Sequence, residues 1–282
     1  MNPGFAKSRD ELPWLPYGKC NRVIINAHNF QPAGTYTPLN DGVSQWFDFS
    51  DATTLFDATT GGSLVAVNAT IARVEDKSGN SRHATQVTGT RRPTRKASLL
   101  NSRDGASFDG GDLLSHTFSI NGSNSTVLAL ADRQSQSGYR YVYQASAASQ
   151  QVTAWIFART TAQTQWCGFA GGADVASGVD ITANPTVMAS RYESGVGFAW
   201  WSDGNTGPTS TASVYGGDSV DRRVIGAYGN GNDAMLGNIY EILVWASAVS
   251  TDVRQRAEGY LAHKWGQASK LPSGHPYKSA AP

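Results

Sequence analysis

The chain has 282 residues, enough for a substantial core, with 16 % charged residues, 30 glycines and a formal net charge of +1. That balance removes the electrostatic case for nucleic acid or an anionic membrane as partner, and no apolar run approaches the ~20 residues of a membrane-spanning helix. Glycine and small polar residues between short apolar stretches predict an all-β chain of many short strands, of a length that fits one sandwich domain.

The opening MNPGFAKSRDELPW lacks the apolar stretch of a secretory signal, so synthesis outside the secretory pathway is expected. Residues 1–40 stand apart from the rest. Pro3, Pro13, Pro16, Pro32 and Pro38 stiffen the backbone, with Trp14, Tyr17, Phe30 and Tyr36 between them. A short strand at 22–25 is the one regular element predicted there. Prolines with adhesive rings suit an extended attachment arm laid along another surface, those four aromatics being its contacts. The alternative is an arm folded back on its own domain.

From Asp41 onward strands are predicted at 43–49, 71–76, 84–87, 105–108, 113–118, 126–132, 139–146, 151–158, 164–169, 186–193, 196–202, 222–228 and 236–246. Gly61-Gly62, Gly110-Gly111, Asn121-Gly122, Asp203-Gly204 and Gly216-Gly217 mark turns, and Ser194-Gly195 predicts a hairpin. The last strand is apolar on both faces, so both must be covered. One amphipathic helix follows. Ser250 is its N-cap and Asp252 lies in its first turn; Val253, Ala257, Tyr260, Leu261 and Trp265 form its stripe, and Lys264 and Gly266 suit its end. Glu241 shares a strand face with Ile239, Leu243 and Trp245. It reads as a structural buried carboxylate that needs a cation, with Arg222, Arg223 or Arg254 as the expected partner.

The residues that carry chemistry are few. The five glutamates, at 11, 75, 193, 241 and 258, form no catalytic pattern, and the five histidines, at 28, 83, 116, 263 and 275, show no metal spacing. There is no nucleophile elbow and no P-loop. Cys20 and Cys167 are either two separate thiols or one long-range disulfide. Aromatic rings are the ligand candidates: Tyr141 in the alternating stripe Tyr139, Tyr141, Tyr143; Trp155 beside Phe157; Trp166; and Trp201, which must point opposite to Trp200. Such rings stack on the C–H faces of sugars, and core packing is the competing reading for each. The basic run Arg91, Arg92, Arg95, Lys96 reads as a solvated loop.

Two stretches carry a resemblance. At the end are Gly237, Ile239, Glu241 and Leu243, then Ser250, Arg254, Glu258, Tyr260-Leu261 and Lys264-Trp265. At the front are Trp46-Phe47-Asp48, Ser50-Asp51, Asp76 to Asn80, His83 to Gln86, Arg92-Pro93 and Ser107 to Gly110. Over about residues 41–278 the chain resembles LamG-like domains of the concanavalin A-like lectin/glucanase superfamily, of the type found in bacteriophage virion proteins. The resemblance implies a jelly-roll sandwich of two antiparallel sheets at 41–282 and makes Glu241 part of a fold signature. It also brings a comparison: glucanases of this fold use a Glu-x-Asp-x-Glu strand, which this chain lacks. Such domains sometimes hold Ca²⁺ in loops like those bearing Asp48, Asp51, Asp57, Asp109, Asp112 and Asp233, although Asx-turns and strand-end caps account for most of these residues.

The resulting expectation is a non-enzymatic phage structural protein, a decoration, head-fibre or tail-associated subunit, assembled into virions in the host cytoplasm. Residues 1–40 would bind other virion proteins, the protein would be a homo-oligomer, and the sandwich would face surface glycans. Neither nucleic acid nor membrane is an expected partner. The alternative is a free lectin-like carbohydrate-binding module with no assembly role.

Overall fold

Short apolar runs bounded by turn residues fold into seventeen strands and one α-helix among the described residues. The computed structural model describes residues 36–116, 124–134, 139–146, 152–158, 165–170, 173–180, 185–211, 222–228 and 231–282. The chain divides into units Met1–Pro32 and Ala33–Pro282, and the described residues all belong to the second. Trp14, Tyr17, Cys20, Phe30 and the strand predicted at 22–25 lie outside them, as do the turns at 121–122 and 216–217.

The strands are β1 (Gln45–Asp48), β2 (Leu55–Phe56), β3 (Arg73–Val74), β4 (Ala84–Thr85), β5 (Thr94–Leu100), β6 (Arg103–Asp109), β7 (Leu114–Ser115), β8 (Asn124–Arg133), β9 (Arg140–Ser146), β10 (Val152–Ala158), β11 (Gln165–Ala170), β12 (Ala173–Asp180), β13 (Thr186–Glu193), β14 (Gly197–Ser202), β15 (Asn205–Ser210), β16 (Arg222–Ile225) and β17 (Leu236–Trp245). They form two antiparallel sheets, the arrangement that the resemblance implies. The first runs β15-β14-β13-β8-β17-β6-β5, with β1 also on β17; the second runs β12-β11-β10-β9-β16-β7-β4-β3-β2. The predicted hairpin at Ser194-Gly195 joins β13 to β14. β17 is the axis of the first sheet. β8 lines one of its edges, while β6 and β1 share the other, meeting its first and second halves.

The core lies between the sheets. The first sheet contributes Val127, Ala129, Met188, Trp200, Ile242 and Val244, and the second contributes Leu114, Val142, Tyr143, Trp166 and Ile225. Each such large side chain contributes about 1.5–3 kcal/mol on burial. The outer face of the first sheet carries a second core. Leu128, Leu130, Val187, Ala189 and Leu243 are covered by Ala257, Leu261 and Ala262 of helix α1 (Thr251–Lys264) and by its C-cap residue Trp265. This third layer is why every residue of β17 after the first is buried.

Helix α1 starts where the cap predicts, the Ser250 side chain accepting from the Val253 amide at 3.3 Å. It ends before Gly266, which adopts φ +70. Its last carbonyl groups meet a cation: Arg103 Nε donates to Lys264 O at 2.9 Å. The inward face is less apolar than the stripe predicts. Arg254 and Glu258 are buried on it, joined at 2.6 Å, and His275 Nε2 lies 3.2 Å from Glu258, fastening the C-terminal loop to the helix. Val253 and Tyr260 are half-buried.

Four strands are not legible in the sequence, the two-residue β2 among them. β5, where Arg95 and Lys96 suggest a loop, is a half-exposed edge strand whose Arg95 pairs with Asp104 at 2.7 Å. β12 consists largely of small residues, and β15 holds a glycine and a proline that an edge strand tolerates. At the β5 margin the two sheets are stitched together: Thr70 bridges Thr94, the Asn68 amide donates to Arg95 O at 2.8 Å, and the Ile71 amide donates to Pro93 O at 2.8 Å.

Tyr36, read from the sequence as an arm residue, is buried on the domain's own helix. Its ring meets Tyr260 edge-on at 6.0 Å and its hydroxyl donates to Asp41 at 2.9 Å, because Arg256 holds Asp41 in place from α1. Cys167 is buried, its thiol donating to Gln165 O at 3.4 Å. Among the described residues no helix is long and apolar enough to cross a membrane.

Two predictions follow from the packing. An alanine Cβ at Gly259 would stand 2.5 Å from the Cβ of Tyr277. Gly259→Ala is therefore expected to lower stability by about 1–3 kcal/mol despite the better helix propensity; an unchanged or raised unfolding temperature would contradict the close approach. His116 is buried, stacked on Tyr143 at 5.4 Å and 6.0 Å from Phe47, with no hydrogen-bond partner for either ring nitrogen among the described residues. Burial, then the charge of Arg223, push its imidazolium down to about 3 from 6.5. The unfolded chain thus takes up the proton first. Stability is full above 6.5 and falls by up to about 1.4 kcal/mol per pH unit as pH drops below it. Urea titrations between pH 7 and 4.5 should show His116→Phe with one proton's worth less slope than the parent.

Candidate functional site

The pairing of β1 with β17 sets Asp48 opposite Glu241 and Trp46 opposite Leu243. Glu241 faces the helix layer and is fully buried. Its carboxylate receives four donors. Trp46 Nε1 at 2.7 Å and the Tyr260 hydroxyl at 2.9 Å reach Oε1; Lys264 Nζ and Trp265 Nε1, both at 2.7 Å, reach Oε2. The cation is Lys264, not one of the arginines the sequence suggested. Arg254 is taken by Glu258 on the helix, and Arg223 lies on β16 in the other sheet. Lys264 suits the helix end, but it also turns inward and bridges Asp48 at 2.7 Å; Lys77 then bridges Asp48 at 3.0 Å and Asp51 at 2.7 Å.

The two carboxyls respond in opposite directions. Burial works against the Asp48 carboxylate, but Lys264 and Lys77 outweigh it and hold its pKa down at about 2. Burial, then the like charge of Asp48, push Glu241 upward, against Lys264 and Trp265. With four donors on two oxygens, the ionised form is the one this site is built to hold. Both acids are closed under lysines and indoles. Among the described residues no three His, Cys, Asp or Glu side chains converge as a metal site, and Lys77 fills the space between Asp48 and Asp51.

A different arrangement lies at the other end of α1. Trp200 points into the core, where its indole N–H donates to Ser202 at 2.9 Å, and its neighbour Trp201 is half-buried on the outer face beside the helix. Arg254 lies over one face of the Trp201 ring, 4.2 Å from its centroid. Arg191 on β13, Val249 and Thr251 complete a notch of about 80 Å³ around this indole. Arg191 contacts Glu193 through Nη2, and its buried Nε has no hydrogen-bond partner among the described residues.

The remaining ring candidates are elsewhere. Trp166 is completely buried in the inter-sheet core and offers no ring face to a ligand, because strand alternation turns it inward on β11. Tyr141 is 6 % exposed and packs against Tyr228 at 5.4 Å. The side chain of Trp155, on β10, lies outside the described residues. Trp201 is thus the described candidate with accessible surface. Arg191 and Thr251 gave no sequence signal as its companions, since a hairpin strand and a helix start bring them together only in the fold.

No protein-family model and no curated protein matches the chain. Among solved structures, the chain is similar to a sialidase from Trypanosoma rangeli in complex with the inhibitor DANA, with TM-score 0.53 and 10 % identity over 75 % of this chain and 32 % of that one. The same sialidase in complex with sialic acid aligns with TM-score 0.51 and 10 % identity over 79 % of this chain and 33 % of that one. Domain 4 of a GH43 extracellular arabinanase from Geobacillus stearothermophilus, in complex with arabinotriose, aligns with TM-score 0.47 and 12 % identity over 75 % of this chain and 97 % of that one. The chain spans about a third of the length of the sialidase chains, and the likeness to them is one of fold, a β-sandwich.

The ionic lock makes its own prediction. Lys264→Met leaves Glu241 buried without its cation and should cost about 3–5 kcal/mol in urea unfolding. Adding Glu241→Gln should cost less than it does alone, with a coupling of at least about 1 kcal/mol; additive losses would mean the two groups do not interact.

Proposed function

We propose that this chain is a glycan-binding β-sandwich of the LamG-like type that acts without catalysis, borne on a bacteriophage particle and attached through its N-terminal segment. The observation that carries the binding reading is the notch around Trp201, where one accessible indole stands among the guanidinium groups of Arg191 and Arg254 and the Thr251 hydroxyl. A ring beside convergent donors is how a protein surface engages a saccharide. The likeness to a sialidase solved with sialic acid supports a sandwich compatible with sugar ligands.

Two features favour binding over hydrolysis. A glycosidase needs two carboxyls that reach a scissile bond, and Asp48 and Glu241, paired across adjacent strands, are closed under Lys264. The glucanase strand pattern is also missing from the sequence. The virion placement draws on the resemblance at both ends of the domain and on the proline and aromatic content of the N-terminal segment. A free lectin-like module is the competing outcome.

Tyr36 and Asp41 belong to the sandwich, so the attachment test removes residues 1–32 and not 1–40. The truncated protein should keep its far-UV spectrum and unfolding temperature but fail to join particles or oligomers in mass photometry; unchanged assembly would refute the attachment role. Trp201→Ala should cut retention on a matrix of the bound glycan about tenfold with the fold intact. Undiminished retention would remove this notch from the binding site.

A further inference from the structure

The notch around Trp201 is poorly shaped for a whole sugar ring and well supplied with positive donors. Its volume of about 80 Å³ is far below the ~300 Å³ at which ordinary ligand pockets begin. Arg254 already occupies one face of the indole, so the ring is no open stacking platform on that side. What the notch presents is the accessible part of Trp201, the hydroxyl-bearing residue Thr251 and the arginines Arg191 and Arg254 from different elements, at the positive end of a fourteen-residue helix.

The counter-charges leave donors to spare. Glu258 engages Nη1 of Arg254 from beneath, and among the described residues no other nitrogen of that guanidinium has a hydrogen-bond partner. Glu193 engages Nη2 of Arg191 from a half-exposed position, while Nε stays buried without a partner among the described residues. Asp252 is exposed in the first turn of α1 and does not line the notch. A carboxylate fits such a site, because a guanidinium presents parallel N–H groups matched to two oxygens.

Resting on the glycan reading above, we infer that the ligand is an acidic saccharide whose carboxylate enters this notch between Arg191 and Arg254, its ring remaining outside against the accessible part of Trp201. Arg191 is the specificity-determining residue, since Arg254 is committed to the helix through Glu258. The hydroxyl of Thr251 and the free N–H groups of Arg254 orient the anion.

The test uses the full chain and pairs of acidic and neutral probes: trigalacturonate against its methyl ester, and 3′-sialyllactose against lactose, titrated by calorimetry at 50 and 500 mM NaCl. At least one acid should bind about tenfold more tightly than its neutral counterpart, and salt should weaken that acid alone. Arg191→Gln should abolish the preference, as should Thr251→Val in part, with the unfolding temperature held within a few degrees. Equal binding of acid and neutral partner, lost on Trp201→Ala, would overturn the anionic specificity and leave the glycan reading standing. An acid preference indifferent to Arg191→Gln and Trp201→Ala would overturn this notch as its seat. No binding of any probe at millimolar concentration would overturn both readings together.

Discussion

A single buried carboxylate organises one side of this protein. Glu241 sits in the middle of the central strand with no access to water, so its charge has to be met by protein groups or it would unfold the layer above it. Its four donors come from β1 and from the helix, and no apolar substitute would specify those positions so narrowly. Lys264 and Trp265 must lie over the strand at one helical register, and Trp46 must approach from the side. The same lysine reaches Asp48, and from there Lys77 and Asp51 carry the ionic contacts outward. Asp76 continues the tie, accepting from the Trp46, Ser78 and Arg82 amides and holding the loop at 76–82 against β1. Hydrophobic burial covers the sheet, and the charge decides where the cover sits.

The helix therefore has two unlike ends. At its C-terminal end the groups are mutually satisfied around the buried Glu241. At its N-terminal end Arg254, although anchored by Glu258, keeps unused N–H groups beside a half-exposed indole. Fixing one end leaves the other rigidly placed against β13 and β14, so that a residue from the sheet and residues from the helix face each other without a mobile loop between them. Preorganised donors of that kind lose little on meeting a ligand.

Much of this architecture is visible in the sequence, and the failures are instructive. The doubly apolar pattern of β17, the Ser250 cap, the hairpin at Ser194-Gly195 and the opposed directions of Trp200 and Trp201 are local properties, and local rules recover them. That Glu241 takes a lysine is not local: Arg254 and Lys264 are both on the helix, and only the docking register decides which one reaches the strand. The edge strands β5 and β15 escape notice because an edge need bury little, so charge, glycine and proline are tolerated there. For Trp166 and Tyr141, sequence supplies a ring but not the layer above it. Arg191 is the clearest case of hidden information, a strand residue whose significance comes entirely from a helix some sixty positions later.

The strand pairing at the centre of the first sheet has a temporal meaning as well. Residues 45–48 find their partner at residues 241–244, so a chain emerging from the ribosome carries β1 without a mate until nearly the whole sandwich has been made. Closing so long a loop is entropically slow, and the central slot between β8 and β6 stays open meanwhile. Such intermediates expose apolar strand edges to one another and tend to associate. The last fifty residues, which bring the strand, the lysine and the covering helix together, thus act as the closing step for everything synthesised before them.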